Sequence, residues 1–196
     1  MKSKEIKDKV KIEDYVNALG MTIYSSFHYK IARDNYGLAE SLRENNDLLG
    51  ENEASLVSIL FSFFSIEARI NEIIFEKIPE KMRDNYEWLN IDKKIIIVSN
   101  LLSKKEFNEE IWNSYKQLKR LRDSFVHTKS RFMKAKEHPT KKRLIGGKHR
   151  LCVENSKFAC DTACRVIRHL EEICGVKKIG DFDITVGKGI RKTPIN

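Results

Sequence analysis

The segment that decides the fold is 52–78, which reads NEASLVSILFSFFSIEARINEIIFEKI. It contains no glycine and no proline, and Pro79 follows it directly. Between Glu51 and Glu137, Pro79 is the only residue of either type. Because helix interiors exclude both residues, the segment predicts a long helix that begins at Asn52, a residue suited to capping, and ends before Pro79.

Four further helices are predicted from the spacing of apolar residues, at about 12–42, 92–102, 108–128 and 155–174. The isoleucine run in 92–102 also fits a strand, but its apolar positions keep the helical period. Asn108 is suited to capping its helix, and Gly175 is a natural C-terminal stop. The sequence therefore predicts an all-α, single-domain bundle of about five helices over 1–175, followed by a tail at 176–196.

The composition excludes several classes of protein. The chain has 196 residues, 41% of them hydrophobic, with only 9 Gly and 3 Pro. That length can bury a substantial core, and the scarcity of Gly and Pro excludes collagen-like chains and disfavours turn-rich all-β folds. The net charge of +9 favours an anionic partner, with nucleic acid as the first candidate, although lysine-rich surfaces also serve solubility alone.

No segment has the pattern of a membrane span or a secretory signal. The longest apolar stretch, 56–66, is shorter than the roughly 20 residues that a span needs, and the first residues of the chain are charged throughout. The four cysteines have no CxxC spacing. We therefore expect a cytoplasmic, reduced protein with no membrane partner.

Two charged residues fall within apolar helical stripes. On a helical wheel, Glu67 lies at the centre of a stripe in 52–78, and Arg122 lies at the centre of a stripe in 108–128. Because desolvating an unpaired ion costs several kcal/mol, we expect these residues either to pair with each other or to line a polar cavity. At this point a structural ion pair and a functional site are equally good interpretations.

A second pair of residues favours a functional site. Asp123 and His127 are four positions apart, so they share one face of the same predicted helix. A carboxylate beside an imidazole orients the ring and favours its charged form, which suits acid–base chemistry near neutral pH. Taken singly, His127 also fits an ordinary residue near a helix end.

The run LKRLRDSFVH, residues 118–127, resembles the signature of the HEPN superfamily, in which a short spacer separates an Arg from a His. Here the spacing is R-x4-H, with Asp123 in the polar position directly after Arg122. The stretch FSIEARINE, residues 64–72, is similar to a second-helix segment of several HEPN groups.

The resemblance implies a helical bundle that dimerises and brings two Arg–His motifs together across a cleft. Many HEPN proteins are metal-independent endoribonucleases, often toxins or phage-defence effectors, and others only bind RNA, nucleotides or proteins. For this chain the resemblance implies RNA as substrate, a homodimer, 2′,3′-cyclic phosphate product ends and an antitoxin protein as a further partner.

The resemblance also implies a role for each residue. His127 would act as base or acid while the ribose 2′-OH attacks the adjacent phosphate, and Arg122 would stabilise the charge that develops there. Asp123 would orient His127, and Glu67 would hold Arg122 or take a proton itself. RNA phosphates would be contacted by Lys119 and by a basic segment, 129–150, that includes Lys129, Arg131, Lys141, Lys142 and Arg143.

The basic segment also fits a solvated connector between two helices. The other residue patterns in the sequence do not indicate a functional site. Cys160, Cys164 and His169 lack the four-ligand spacing of a zinc site, and no full phosphate-binding loop is present, so neither a metal nor a cofactor is expected. Two alternatives to a ribonuclease stay open. One is a non-catalytic HEPN-like module that binds RNA or protein; the other is a helical DNA-binding or regulatory protein in which a Glu67–Arg122 pair is only structural.

Overall fold

The computed structural model describes residues 24–103, 106–126 and 151–178, and every regular element in these ranges is an α-helix. In chain order the helices are α1 over 24–44, α2 Leu48–Lys77, α3 Glu80–Glu87, α4 Ile91–Ser103, α5 Glu109–Val126 and α6 Val153–Cys174. The predicted all-α class is confirmed for these residues, and the isoleucine run is helical. The sequence did not predict α3, because this short helix is mostly polar, contains only two large apolar side chains, Met82 and Tyr86, and buries only Tyr86.

The start of α2 differs from the prediction. The helix begins at Leu48, because the Asp47 carboxylate accepts a hydrogen bond from the Gly50 N–H at 3.0 Å and so caps the first turn. The predicted cap at Asn52 is wrong, since Asn52 lies within the helix.

Three other predicted helix ends are confirmed, whereas the predicted helix start at residue 12 and helix end at residue 128 lie outside the described residues. α2 stops where Ile78 becomes extended before Pro79. The Asn108 side chain accepts a hydrogen bond from the Ile111 N–H at 3.0 Å and caps α5. Gly175 follows α6 with φ of 59°, a left-handed conformation that favours glycine.

The core forms where α2 packs against α4, α5 and α6. Burying each large apolar side chain there stabilises the fold by about 1.5–3 kcal/mol. α2 and α6 run parallel, since Glu51 contacts Val153 at one end and Arg69 contacts Glu171 at the other. The fully buried residues of this core include Phe63, Ile66, Ile70, Ile95, Val98, Tyr115, Leu118, Ile167 and Leu170.

A row of small residues lets α2 and α6 approach each other closely. Four fully buried serines recur at intervals of three and four positions along α2, and we call them the serine row: Ser55, Ser58, Ser62 and Ser65. The hydroxyls of Ser58 and Ser62 lie 3.4 and 3.6 Å from the Cys160 thiol of α6. Side chains of this size leave space for the neighbouring helix. The hydroxyls of Ser58, Ser62 and Ser65 have local hydrogen-bond partners, whereas the buried Ser55 hydroxyl has none among the described residues.

The packed region extends past the predicted domain end at residue 175. Val176 is buried in the core. The backbone carbonyl of Lys177 accepts a hydrogen bond from Arg69 at 2.8 Å. Residues 176 and 177 therefore contact the helical core, and residues 179–196 of the predicted tail lie outside the described ranges.

Candidate active site

Arg122 lies in the last described turns of α5, over an aromatic ring of α2. Its guanidinium carbon is 4.2 Å from the centre of the Phe63 ring, and Phe63 is fully buried. The negative face of the ring attracts the cation. The Arg122 side chain is 19% exposed, so the guanidinium is held in place and is still reachable from solvent.

The guanidinium of Arg122 is only partly satisfied. One terminal nitrogen lies 2.8 Å from an Asp123 carboxylate oxygen. The Nε atom is buried and has no hydrogen-bond partner among the described residues. An unsatisfied buried donor costs about 1–3 kcal/mol. Because the planar fork of Arg matches phosphate oxygens, this group has donors to offer an anionic ligand.

The ion pair expected between Glu67 and Arg122 is absent from the described part of the chain, where Arg122 pairs with Asp123. Glu67 is half-buried and lines a cavity between α1 and α2. The wheel misplaced this side chain because helices cover α2 on nearly every other side, which leaves the Glu67 face the least enclosed. Of the two expectations for Glu67, the structure supports the cavity, whose lining surface is mainly apolar.

A polar triad links α4 to α5 beside Arg122. The Asp92 carboxylate accepts hydrogen bonds from the Tyr115 hydroxyl at 2.6 Å and from the Lys119 ammonium at 2.5 Å. Burial raises the pKa of Tyr115 far above its usual range, and the bond to Asp92 raises it further. The charge of Arg122 lowers that pKa, and the charge of Glu67 raises it. Lys119 is thus already neutralised by Asp92 and is not a free phosphate contact.

The most deeply buried charges were not predicted from the sequence. Arg69 is 2% exposed and lies 3.0 Å from the Glu72 carboxylate and 3.1 Å from that of Glu171. Glu72 also accepts hydrogen bonds from the backbone N–H and the hydroxyl of Ser25, at 3.1 and 2.9 Å. Burial raises the pKa of Glu72 in spite of these partners. This buried charge cluster joins α1, α2 and α6.

One signal in the sequence pointed to the buried charge cluster. The spacing of the serine row continues through Arg69 and Glu72, so all six residues share one face of α2. A polar helix face is normally exposed to solvent and carries long charged side chains. From residue 55 to residue 65 this face carries only serines, and a row of such small side chains indicates that another helix packs closely against it.

The remaining predicted site residues lie outside the described ranges. They are His127, which is the residue after the last described one of α5, and the basic segment with Lys129, Arg131, Lys141, Lys142 and Arg143. Of the residues that are described, the structure brings Arg122, Asp123 and Lys119 to one end of α5, and it places Glu67 across Tyr115 from them.

Within the described residues no group of three His, Cys, Asp or Glu side chains is arranged to hold a metal ion. Cys160 contacts the serine row, and burial raises the pKa of both the Cys160 and the Cys164 thiols. Burial lowers the pKa of His169, whose Nε2 accepts a hydrogen bond from the Asn108 N–H at 3.1 Å. These three residues therefore have separate structural roles.

Comparisons of the chain with protein-family models, curated proteins and solved structures gave no match. The likeness to HEPN proteins thus rests on the residues of this sequence. None of the helices described for 24–103, 106–126 and 151–178 is both long and apolar enough to cross a membrane.

Proposed function

We propose that this protein is a metal-independent endoribonuclease of HEPN type, a toxin or phage-defence effector, in which Arg122 and His127 form the catalytic pair. The observation that carries the proposal is the state of Arg122. Its guanidinium rests on the Phe63 ring, half-shielded from water, with a buried Nε that has no partner among the described residues. Such a cation is prepared for an oxyanion that forms beside it.

The chemistry needs no metal. His127 takes the proton of the ribose 2′-OH, the 2′-oxygen bonds to phosphorus, and the bond from phosphorus to the 5′-oxygen breaks. A protonated imidazole, from this motif or from the partner subunit's motif, returns a proton to the departing 5′-oxygen. General acid–base steps of this kind are each worth about 10²–10⁴-fold. Arg122 stabilises the charge on the pentacoordinate phosphorus, and the products carry 2′,3′-cyclic phosphate and 5′-OH ends.

Asp123 takes a different role from the one expected. Its carboxylate lies 2.8 Å from Arg122, so in the free protein it orients the guanidinium. The sequence spacing also lets it reach His127, one turn further on. We assign it as a positioning residue that connects the two members of the catalytic pair.

The basic segment supplies the attraction to RNA. Residues 129–150 contain nine Lys and Arg and one acid, so they account for most of the net charge of +9. They begin two positions after His127. Charge in this position brings phosphates to the catalytic pair without regard to base sequence, and its effect falls as salt rises.

The alternative is a non-catalytic HEPN-like module that binds RNA or a protein. The Arg122–Asp123 pair favours it, because a carboxylate already neutralises part of the cation. The third interpretation, a protein with a purely structural Glu67–Arg122 pair, loses its basis because the described residues contain no such pair.

The test is cleavage of a mixed RNA substrate in excess EDTA by the wild type, His127→Ala and Arg122→Ala. Lys30→Ala is the matched control for the loss of one positive charge, since Lys30 is exposed on α1 and, among the described residues, pairs with Asp34 alone. The proposal predicts cleavage by the wild type and by Lys30→Ala, no cleavage by His127→Ala, and a rate about 10²–10³-fold lower for Arg122→Ala. Tight RNA binding without cleavage by any of the four proteins would favour the non-catalytic module.

A further inference from the structure

A cavity of about 290 Å³ lies between the first described turns of α1 and the middle of α2. Aromatic and polar side chains line it together. The residues that matter for its chemistry are Tyr24 and His28 of α1 and Phe64, Glu67, Asn71 and Glu72 of α2. Glu67, whose charge raises the pKa of Tyr115, is one of its lining residues.

Two of the polar groups in this cavity are already occupied. The Glu72 carboxylate accepts hydrogen bonds from Ser25 and from Arg69. The Asn71 carbonyl oxygen accepts one from the ammonium of Lys94, at 2.8 Å. Lys94 is itself buried, so this contact fixes the orientation of the Asn71 amide. The amide NH₂ of Asn71 is therefore directed away from Lys94.

Three polar groups have bonding capacity left. The Glu67 carboxylate and the Asn71 NH₂ make no hydrogen bond within the described ranges. The Nδ1 atom of His28 is buried and also lacks a partner there. A ligand in the cavity would therefore meet one acceptor group, one donor group and one imidazole nitrogen.

The charge of the cavity selects against phosphate. The Glu67 carboxylate lines it and has no ion-pair partner among the described residues, so an anion placed beside it would be repelled. Two aromatic side chains also line it, Phe64 and the largely exposed Tyr24. Unpaired nucleic-acid bases stack on such rings and are recognised by hydrogen bonds along their Watson–Crick edges. The chemistry of the lining therefore suits a base and not a phosphate.

Guanine is the base that matches the free groups. Its Watson–Crick edge carries two adjacent donors, N1–H and the 2-amino group, next to the acceptor O6. A carboxylate accepts from both donors at once, and an amide NH₂ donates to O6. Adenine, cytosine and uracil do not carry two adjacent donor groups on that edge, so none of them makes the bidentate contact with a carboxylate.

We propose that this cavity binds the base of an unpaired guanosine in RNA, with Glu67 accepting from N1–H and the 2-amino group and Asn71 donating to O6. The proposal rests on the proposed function in that the ligand is RNA. It gives Glu67 a role in substrate recognition in place of the expected contact with Arg122.

The experiment measures binding and not cleavage, so that its failure is separate from failure of the nuclease proposal. The probes are two pentaribonucleotides that differ at one base, UUGUU and UUAUU. Every protein in the experiment carries His127→Ala to prevent cleavage of the probe. Calorimetry should give a dissociation constant about tenfold or more lower for the guanosine probe, the range expected for one bidentate base contact. Adding Glu67→Gln should reduce the difference to less than about threefold, because one acceptor is replaced by a donor.

Glu76→Gln is the matched control, since Glu76 is an exposed acid of the same helix that does not line the cavity. It should keep the full preference for guanosine. Equal binding of the two probes, no binding of either probe, or a preference that survives Glu67→Gln would overturn the proposal. A guanosine preference in a protein that cleaves no RNA would leave the cavity assignment intact and remove the nuclease. Cleavage of RNA without a guanosine preference would support the nuclease proposal and overturn the assignment of the cavity.

Discussion

Arg122 pairs with its own neighbour, Asp123, at 2.8 Å, while the described residues hold no ion pair between Arg122 and Glu67. Arg122 therefore does not neutralise a buried acid of another helix. Its contacts across the helix interface are with the ring of Phe63. Because Arg122 has no buried acid to neutralise on another described helix, its replacement should affect the proposed catalysis much more than the stability of the fold.

Replacing Arg122 with alanine is expected to lower the free energy of unfolding by only about 1 kcal/mol, the size of a partly exposed cation–π contact. The same change should lower the rate of RNA cleavage in EDTA by about 10²–10³-fold, because a charge-stabilising donor is lost. Urea denaturation and initial rates measure the two effects. A loss of about 3–5 kcal/mol would contradict the structure, since it would mean that the substitution strands a buried acid.

Replacing Arg69 with methionine should have the opposite profile. The substitution leaves the carboxylates of Glu72 and Glu171 buried without their shared cation, and we expect a loss of about 3–5 kcal/mol in urea denaturation. Glu72→Gln should cost less, because burial raises the pKa of Glu72 and so opposes its charged form, and an amide oxygen can still accept from Ser25.

The control for this series is Arg43→Met, which breaks an ion pair with Glu154 on the surface. Because that pair is exposed, its loss should leave the urea midpoint nearly unchanged. A midpoint for Arg69→Met as high as that of the control would show that the cluster does not stabilise the fold.

The four cysteines are expected to resist a thiol reagent such as DTNB at pH 8 in the folded protein. All four are buried, and burial raises the pKa of Cys174 to about 11. Only the thiolate reacts, so labelling should be slow at pH 8 and should accelerate as the pH approaches that value. Urea at about 8 M unfolds most small domains, so all four cysteines should react under that condition. Rapid labelling of even one thiol in the native protein would contradict the described packing.

Replacing Lys141, Lys142 and Arg143 together with alanine should weaken RNA binding and flatten its dependence on salt. Each phosphate contact with a single strand contributes about 0.7 to the slope of log affinity against log salt, so the slope should fall by about 2. A matched triple variant of exposed lysines on the described helices, Lys30, Lys77 and Lys81, should leave the slope unchanged. Equal effects of the two variants would mean that the basic segment attracts RNA only through net charge.

The sequence predicted the long helices and most of their ends, because those depend on local rules. Pro79 and Gly175 act through backbone geometry, and Asn108 acts through one hydrogen bond to its own helix. The same rules mispredicted the start of α2, where two residues, Asp47 and Asn52, both suited capping.

The site was predicted less well, because burial depends on contacts between helices. A helical wheel assumes one apolar face, whereas α2 is enclosed on most of its circumference. Glu67 consequently appeared more buried than it is. The burial of Arg69 was not predicted, because a helix face of serines and charged residues is normally solvated, and only the close approach of α6 shows that this face is interior.

The identity of the RNA ends formed in EDTA tests the central claim most directly. Wild-type protein is predicted to leave 2′,3′-cyclic phosphate and 5′-OH ends, and His127→Ala, folded to the same thermal midpoint, is predicted to leave no new ends. Products with 5′-phosphate and 3′-OH ends, or equal cleavage by His127→Ala, would contradict the assignment of Arg122 and His127 as a metal-independent catalytic pair.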